Sequence, residues 1–255
     1  MTVIQYLIVC PLIFLAGFID SIAGGGGLIS LPAYLIAGLP PHNAIATNKL
    51  SSSMGTTVSV ARYAREGFIP WKIAVVCAVS SITGSSAGAR LSLLIDDSAL
   101  KYLMLVLLPL TAVVVLKSKG MSGESEESLS PGKTMAIAIA VAFLLGGYDG
   151  FYGPGAGTFM LLALTVVARM RLQTANGVTK VINLASNVAA MTVYIINGKV
   201  LFPLGLAAGL FGIAGNWLGS RTFTRNGSGA AKPVMLVVLA VFFFKTLFEL
   251  LGWIS

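Results

Sequence analysis

Ten apolar runs separated by short polar breaks constrain the fold of this chain more than any other feature. Most are close to the ~20 residues that an α-helix needs to cross a bilayer. The runs cover residues 3–19, 28–38, 43–61, 70–91, 99–116, 134–148, 157–168, 175–196, 200–219 and 233–254. Only 10% of the 255 residues are charged, against about a quarter in a soluble domain. A water-soluble globule is therefore excluded, and the sequence predicts an all-α polytopic membrane protein.

One hydrophilic stretch, KSKGMSGESEESLSPGK, separates five of these runs from the other five. Its mixed charge and its Ser, Gly and Pro content are typical of a flexible linker. We therefore predict a first membrane repeat at 1–117, a hydrophilic linker at 118–133 and a second membrane repeat at 134–255.

The two halves carry matching residues in the same order, which indicates an internal duplication. At an offset of 129 positions the matches are Gly17, Asp20, Gly24 and Gly26 with Gly146, Asp149, Gly153 and Gly155. At an offset of 131 positions they are Lys49, Tyr63, Gly84, Gly88 and Arg90 with Lys180, Tyr194, Gly215, Gly219 and Arg221. Because each half has an odd number of runs, the sequence predicts two inverted repeats. The short runs 28–38 and 157–168 are expected to be broken or re-entrant helices.

The positions of the basic residues predict the orientation of the chain in the membrane. With the 62–69 loop in the cytoplasm, simple alternation of the runs puts most of them on that side: Arg62, Arg65, Lys72, Lys117, Lys119, Lys133, Arg169, Arg171, Arg221, Arg225 and Lys232. The opposite side receives Arg90, Lys101 and Lys199. Both termini are then predicted to lie outside. The net charge of +8 sets orientation, and we expect no nucleic-acid partner because no dense basic run is interleaved with aromatic residues.

Two glycine-rich breaks, DSIAGGGG at 20–27 and DGFYGPGAG at 149–157, precede the two short runs. A glycine run interrupts a helix, and the N–H groups at the start of the next helix suit an anion. Interrupted segments at corresponding positions of two halves also point to a transporter binding site. The candidate substrate-binding residues here are Gly24, Gly25, Gly26, Gly27, Gly153, Gly155 and Gly157. Tight helix packing without a ligand is the alternative.

Lys49 and Lys180 each lie inside an apolar run, where a lysine is costly unless it faces a cavity or a partner. Two such charges at the interface of the halves would suit a small anion. Alternatively, each lysine extends to the membrane surface or pairs with Asp20 or Asp149. Further candidate donors are Thr47, Asn48, Ser51, Ser52, Thr179, Asn183 and Asn187. Asp20 and Asp149 are the candidate coupling residues, since a carboxylate beside a cavity can carry a proton.

The sequence contains no metal-spaced His/Cys cluster, no Walker loop and no G-x-S-x-G motif. We therefore expect no cofactor, no metal and no enzymatic activity, and a gradient rather than ATP as the driving force. His42, the single histidine, follows Pro40 and Pro41 and is expected in a loop.

Several motifs resemble the TauE/SafE sulfite exporter family, also called the toluene sulfonate uptake permease (TSUP) family. Those of the first half are FIDSIAGGGGLISLPAYLIAGLPPHNAIATNKLSSSMGT, GFIPW and GSSAGARL; those of the second are GGYDGFYGPGAGTFMLL, TANGVTKVINLASN and GNWLGSR. The resemblance implies export or uptake of sulfite, thiosulfate, sulfoacetate or other sulfonates across the bacterial cytoplasmic (inner) membrane. The positions that carry over by motif are Asp20, Gly24, Gly25, Gly26, Gly27, Asn48, Lys49, Asp149, Gly153, Gly155, Gly157, Lys180 and Asn183.

Together these features predict a secondary transporter of small sulfur-containing anions that works by alternating access, with proton coupling through Asp20 or Asp149. Its expected partners are the anion and the lipid bilayer. Two other readings stay open. An intramembrane aspartyl hydrolase would use Asp20 and Asp149 as a carboxylate pair, and a passive anion channel would use the same residues without alternating access.

Overall fold

A computed structural model describes residues 2–117 and 129–226, and every regular element in these ranges is a helix. The helices are α1 (Val3–Ala23), α2 (Gly27–Ile36), α3 (Pro41–Arg65), α4 (Trp71–Leu93), α5 (Asp97–Lys117), α6 (Pro131–Phe151), α7 (Ala156–Leu162), α8 (Leu172–Ile196) and α9 (Phe202–Asn226). A π-helical turn (Ala163–Val167) continues α7. The predicted all-α class is confirmed, and nine of the ten apolar runs correspond to these nine helices. The tenth run, 233–254, lies outside the described residues.

Five of the described helices are long and apolar enough to cross a membrane: α1, α4, α6, α8 and α9. The runs predicted to be short form α2 and α7, each of which follows a glycine-rich break. The multi-pass membrane fold is thereby confirmed. Most of the predicted linker 118–133 lies outside the described residues, and α6 begins within its last part, at Pro131. The boundaries of the two repeats stay a prediction.

The long helices of the two halves pack in reciprocal pairs. α1 packs mainly against α9, and α6 packs mainly against α4. Glycines form both contacts: Gly84 and Gly88 of α4 lie against Phe143 and Gly147 of α6, and Gly215 and Gly219 of α9 lie against Phe14 and Phe18 of α1. A Cβ on any of these four α4 and α9 glycines would overlap a backbone carbonyl, so the close approach depends on small residues. An internal duplication predicts such reciprocal contacts; the opposite orientation of the halves stays a prediction.

The two long helices with the most buried polar side chains among those described, α3 and α8, lie inside this arrangement. α3 packs against α9 and α8, and α8 also packs against α4. Their buried polar side chains include Asn48 and Lys49 on α3 and Lys180 and Asn183 on α8. Because surrounding helices rather than lipid cover these side chains, α3 and α8 can carry charges at this depth.

α3 begins earlier than the run at 43–61 and includes His42, so the loop predicted at this histidine is wrong. Pro41 occupies the first turn of α3, where the fixed φ of proline and its missing N–H are tolerated. The Pro-Pro pair therefore starts the helix. His42 is buried, its Nδ1 lies 2.6 Å from Asp97 Oδ1 and its Nε2 lies 3.0 Å from the Ser92 carbonyl oxygen.

Candidate functional site

The two glycine-rich breaks contact each other. A Cβ on Gly24, whose φ is +76°, would overlap the backbone of Gly157, and a Cβ on Gly157 would lie 2.6 Å from the Gly24 carbonyl oxygen. The Thr158 hydroxyl donates to the Ala23 carbonyl at 2.8 Å. The end of α1 can therefore touch the start of α7 only because both crossing residues lack a side chain.

Two ion pairs connect the halves in a crossed pattern. Lys49 Nζ lies 2.8 Å from Asp149 Oδ1, and Lys180 Nζ lies 2.7 Å from Asp20 Oδ2. Lys180 also donates to the Asp20 carbonyl oxygen. Both lysines are fully buried. Each lysine is thus paired with a carboxylate of the other half, which was one of the alternatives that the sequence left open, and the four side chains carry no net charge.

The two carboxylates differ in their surroundings. Asp149 uses both oxygens, because Oδ1 contacts Lys49 and Oδ2 accepts a hydrogen bond from the Ser186 hydroxyl. Asp20 uses only Oδ2 for Lys180, and its Oδ1 has no hydrogen-bond partner among the residues described. The side chain of Asp20 is 15% exposed, against 5% for Asp149. Asp20 is therefore the more accessible carboxylate.

A cavity of about 40 Å³ lies beside the ion pairs, more than the ~10–15 Å³ that a single water needs. Its walls come from α1, α2, α3, α8, α9 and the two breaks. The lining residues are Ile13, Ala16, Gly17, Asp20, Gly24, Gly26, Gly27, Ser30, Asn48, Lys49, Ser51, Ser52, Thr56, Asp149, Gly153, Gly157, Asn183, Asn187, Gly212 and Asn216. The glycines leave room for the cavity, and most of the remaining residues provide charged, hydroxyl or amide groups around it.

Many of the candidates chosen from the sequence come together here. Those that line the cavity are Asp20, Gly24, Gly26, Gly27, Asn48, Lys49, Ser51, Ser52, Asp149, Gly153, Gly157, Asn183 and Asn187. Gly153 has φ +105°, and a Cβ there would lie 3.2 Å from both Lys49 Nζ and Asp149 Oδ1. The second break therefore lies directly against the first ion pair.

Other candidates are buried nearby without lining the cavity: Lys180, Thr47, Thr179, Gly25 and Gly155. Lys180 contacts Asp20, which itself lines the cavity. Thr47 accepts a hydrogen bond from the Leu201 N–H at 3.1 Å, at the start of α9. The Thr179 hydroxyl is buried without a partner among the described residues. Gly155 has φ +78° and precedes α7, so its role there is conformational.

Three polar lining residues were missed by sequence reasoning: Ser30, Thr56 and Asn216. Ser30 is 3% exposed, and its hydroxyl has no hydrogen-bond partner in the described part of the chain. A single serine within the apolar stretch LISLPAYLI is the signal that could have identified it. Asn216 accepts from the Ser59 hydroxyl at 2.8 Å and donates to the Gly212 carbonyl at 3.0 Å.

The start of α2 faces the same cavity. The N–H groups of Leu28, Ile29 and Ser30 donate to the carbonyls of Gly25 and Gly26. Those of Gly26 and Gly27 have no acceptor among the residues described, as is usual at a helix N-terminus. Both glycines line the cavity, so free backbone donors lie close to the Ser30 hydroxyl.

A buried, glycine-lined polar cavity within a multi-pass helical fold is the arrangement of a membrane transporter. The chain belongs to the sulfite exporter TauE/SafE family, whose model matches residues 9–246. It is 36% identical over 226 residues to probable membrane transporter protein ORF9 of Sinorhizobium sp, covering 88% of this chain and 85% of the relative. It is 31% identical over 246 residues to probable membrane transporter protein YfcA of Escherichia coli strain K12, covering 94% and 91%.

A probable membrane transporter protein of Haemophilus influenzae is 30% identical over 241 residues, covering 94% of this chain and 93% of the relative. No solved structure matches the chain. The family and these relatives make the chain a multi-pass membrane transporter of the bacterial inner membrane, with a small-molecule substrate and the lipid bilayer as its partners.

Proposed function

We propose that this chain is a secondary transporter of small sulfur-containing anions: sulfite, thiosulfate, sulfoacetate or other sulfonates. The observation that carries this proposal is the cavity in which three groups come together: the start of α2, the Lys49 ammonium group and the Ser30 hydroxyl, which has no partner among the described residues. The name of the family, sulfite exporter, supports the substrate class.

The donors around the cavity suit an anion of this kind. Sulfite and sulfonates present several oxygens around one sulfur atom, so donors from several directions can bind them at once. The Gly26 and Gly27 N–H groups and the helix dipole favour negative charge at the start of α2. Asn48 and Lys49 lie on the α3 wall and Asn183 on the α8 wall. The anion would bind between the two halves of the chain.

The cavity is lined by α9 but not by the corresponding positions of α4, and this asymmetry supports alternating access. Gly212 and Asn216 of α9 line it, whereas the corresponding α4 residues, Ser81 and Ser85, do not. Ser81 donates to the Ile182 carbonyl at 3.1 Å and Ser85 to the Ser186 carbonyl at 2.6 Å, which closes the equivalent space against α8. In the proposed mechanism the inverted halves rock against each other, closing the space at α9 and opening that at α4.

The two alternatives from the sequence are weaker. An aspartyl hydrolase needs two carboxylates that share a proton, whereas Asp20 and Asp149 each contact a lysine instead. A passive channel needs a continuous pore, and the contact between Gly24 and Gly157 lies directly beside the cavity.

Counterflow in proteoliposomes tests the proposal. Proteoliposomes that contain the purified protein are loaded with unlabelled sulfite, thiosulfate or one of a panel of sulfonates. Uptake of the same anion in labelled form is then followed. We expect saturable counterflow with at least one of these anions, and at least a tenfold loss of its rate in Lys49→Ala. Lys72→Ala is the matched control, because Lys72 is exposed at the start of α4.

Lys49→Ala also leaves Asp149 buried without its counter-charge, which costs roughly 3–5 kcal/mol and can lower the yield of folded protein. The double variant Lys49→Ala with Asp149→Asn removes both charges and still lacks the ammonium group. If either variant inserts normally and transports at the parental rate, the site assignment is wrong. No counterflow with any member of the panel would contradict the substrate class.

A further inference from the structure

An anion that enters this cavity meets a site without net charge. The buried ammonium groups of Lys49 and Lys180 are already balanced by the carboxylates of Asp149 and Asp20. A buried negative charge without a counter-charge is strongly disfavoured. If the proposed function is correct, binding of the anion therefore requires an additional positive charge, or the loss of a negative one, within the same site.

Asp20 is the group placed to supply that change. Its Oδ2 contacts Lys180, while its Oδ1 has no partner in the described part of the chain and the residue lines the cavity. An ionised Oδ1 would repel an anion bound at the start of α2. A protonated Oδ1 carries an O–H group, which is a hydrogen-bond donor. Binding of one proton thus replaces a negatively charged oxygen at the cavity wall with a hydrogen-bond donor.

Asp149 is less suited to this role, although it also lines the cavity. Both of its oxygens are engaged, by Lys49 and by the Ser186 hydroxyl. A proton on Asp149 would have to displace the Lys49 ammonium group or the Ser186 hydroxyl from one of these oxygens. Protonation of Asp20 weakens only the contact with Lys180, which keeps its hydrogen bond to the Asp20 carbonyl oxygen.

We propose that Asp20 binds one proton for each anion bound and that proton and anion cross the membrane together. The proton comes from the solution on the side from which the anion enters, forms an O–H bond at Asp20 and leaves to the solution on the other side with the anion. No other bond forms or breaks. An inward proton gradient then drives uptake of the anion, and an outward anion gradient drives its export.

The charged and titratable groups that surround Asp20 come from several helices. α8 provides Lys180, α3 provides Lys49 and Tyr63, and α6 provides Asp149. Tyr63 donates to the Ser21 carbonyl, next to Asp20 in the chain, and Tyr34 of α2 donates to the Ser51 hydroxyl at 2.8 Å. α9 presents the neutral Asn216 and has Arg221 and Arg225 near its end. Of these groups Lys180 is the one in direct contact with Asp20.

The first experiment measures proton uptake on binding to the unmodified protein. Thiosulfate and p-toluenesulfonate are suitable probes because both are fully ionised at neutral pH, so any proton that is taken up binds to the protein. Calorimetric titrations in buffers of different ionisation enthalpy give the number of protons per anion. We expect about one, and an affinity that falls about tenfold per pH unit where Asp20 is ionised. Binding without proton uptake would overturn the proposal.

The second experiment assigns the proton to a residue. In proteoliposomes that are acidic outside, the unmodified protein should accumulate the probe and acidify the lumen. In Asp20→Asn both effects should be lost, and any remaining counterflow should no longer vary with pH. In Asp149→Asn the remaining counterflow should still vary with pH. If the pH dependence disappears in Asp149→Asn and persists in Asp20→Asn, the assignment to Asp20 is wrong.

These outcomes are distinct from a failure of the proposed function. If none of the anions binds or shows counterflow, the proposed substrate class is wrong. If an anion binds and is exchanged without any proton, the substrate class is supported and the coupling through Asp20 is wrong. Should Asp20→Asn fail to insert, the proton count on the unmodified protein still decides.

Discussion

At the scale of single residues, Ser30 is the most informative side chain in the cavity. A buried hydroxyl without a partner costs about 1–3 kcal/mol. Because this hydroxyl lies at the wall of a polar cavity, we propose that a ligand provides the missing acceptor. Ser92 on α4 is a second buried serine whose hydroxyl has no partner in the described part of the chain. Ser92 does not line the cavity, whereas Ser30 does. Ser92 is therefore a matched control for a role of Ser30 in the cavity.

We predict that Ser30→Ala weakens anion binding about 10- to 100-fold. A hydrogen bond to a charged group contributes about 1.5–3 kcal/mol, and about 1.4 kcal/mol corresponds to a factor of ten. Ser92→Ala should leave the affinity unchanged. The measurement is the concentration of the anion that half-saturates counterflow in each variant. Equal affinities in Ser30→Ala and the unmodified protein would exclude Ser30 from the binding site.

The sequence identifies the charged residues of the site but not how they are arranged. Lys49, Lys180, Asp20 and Asp149 stand out because buried charges are costly in an apolar chain. Which lysine meets which carboxylate depends on how α3 and α8 pack against the breaks, and no local pattern determines this. The same holds for Thr47, which neighbours Asn48 in sequence but lies on another face of α3, since neighbouring residues on a helix point about 100° apart.

At the scale of elements, the two breaks allow α1 and α7 to touch, and glycine is required at one crossing point for two reasons. Gly24 has φ +76°, which other residues adopt at a cost of about 1–2 kcal/mol, and a Cβ there would overlap Gly157. Gly38, after α2, has φ +81° with nothing within 4 Å of its Cβ position. Both glycines have a positive φ, but only at Gly24 would an added Cβ overlap neighbouring backbone atoms.

We predict that Gly24→Ala abolishes counterflow and markedly lowers the amount of folded protein, while Gly38→Ala shows only the modest effect of backbone strain. Size-exclusion chromatography after detergent extraction measures the folded fraction, and melting temperatures compare the stability of the two variants. If both variants behave alike, the contact between the breaks does not contribute to the fold.

The elements themselves follow closely from the apolar runs. The glycine-rich breaks predict where α1 and α6 end to within about four residues, because glycine weakens a helix. Both helices extend into the breaks, α1 to Ala23 and α6 to Phe151. The beginning of α3 at Pro41 was missed, since a Pro-Pro pair can equally form a loop or start a helix. The π-helical turn after α7 has no signal in ALTVV, because the i→i+5 hydrogen bonds depend on the packing around it.

At the scale of the whole molecule, the positions of the Lys and Arg residues predict the orientation in the membrane. We predict that both termini lie outside, because the opposite arrangement would move most of the Lys and Arg residues in the loops from the cytoplasmic side to the outer side. An alkaline phosphatase fusion at the C-terminus should be active and a green fluorescent protein fusion dark. Fusions to the loop at Glu66 and Gly67 should give the reverse. A fluorescent C-terminal fusion would contradict the predicted alternation.

The crossed ion pairs also bear on the origin of the chain. If the halves arose from one ancestral segment by duplication, the contacts of Lys49 with Asp149 and of Lys180 with Asp20 descend from contacts between separate polypeptides. The ancestor would then have been a homodimer in which each subunit's lysine was neutralised by the other subunit. Before the genes fused, a monomer would have exposed an uncompensated lysine and aspartate, so its stability in the membrane would have depended on finding its partner.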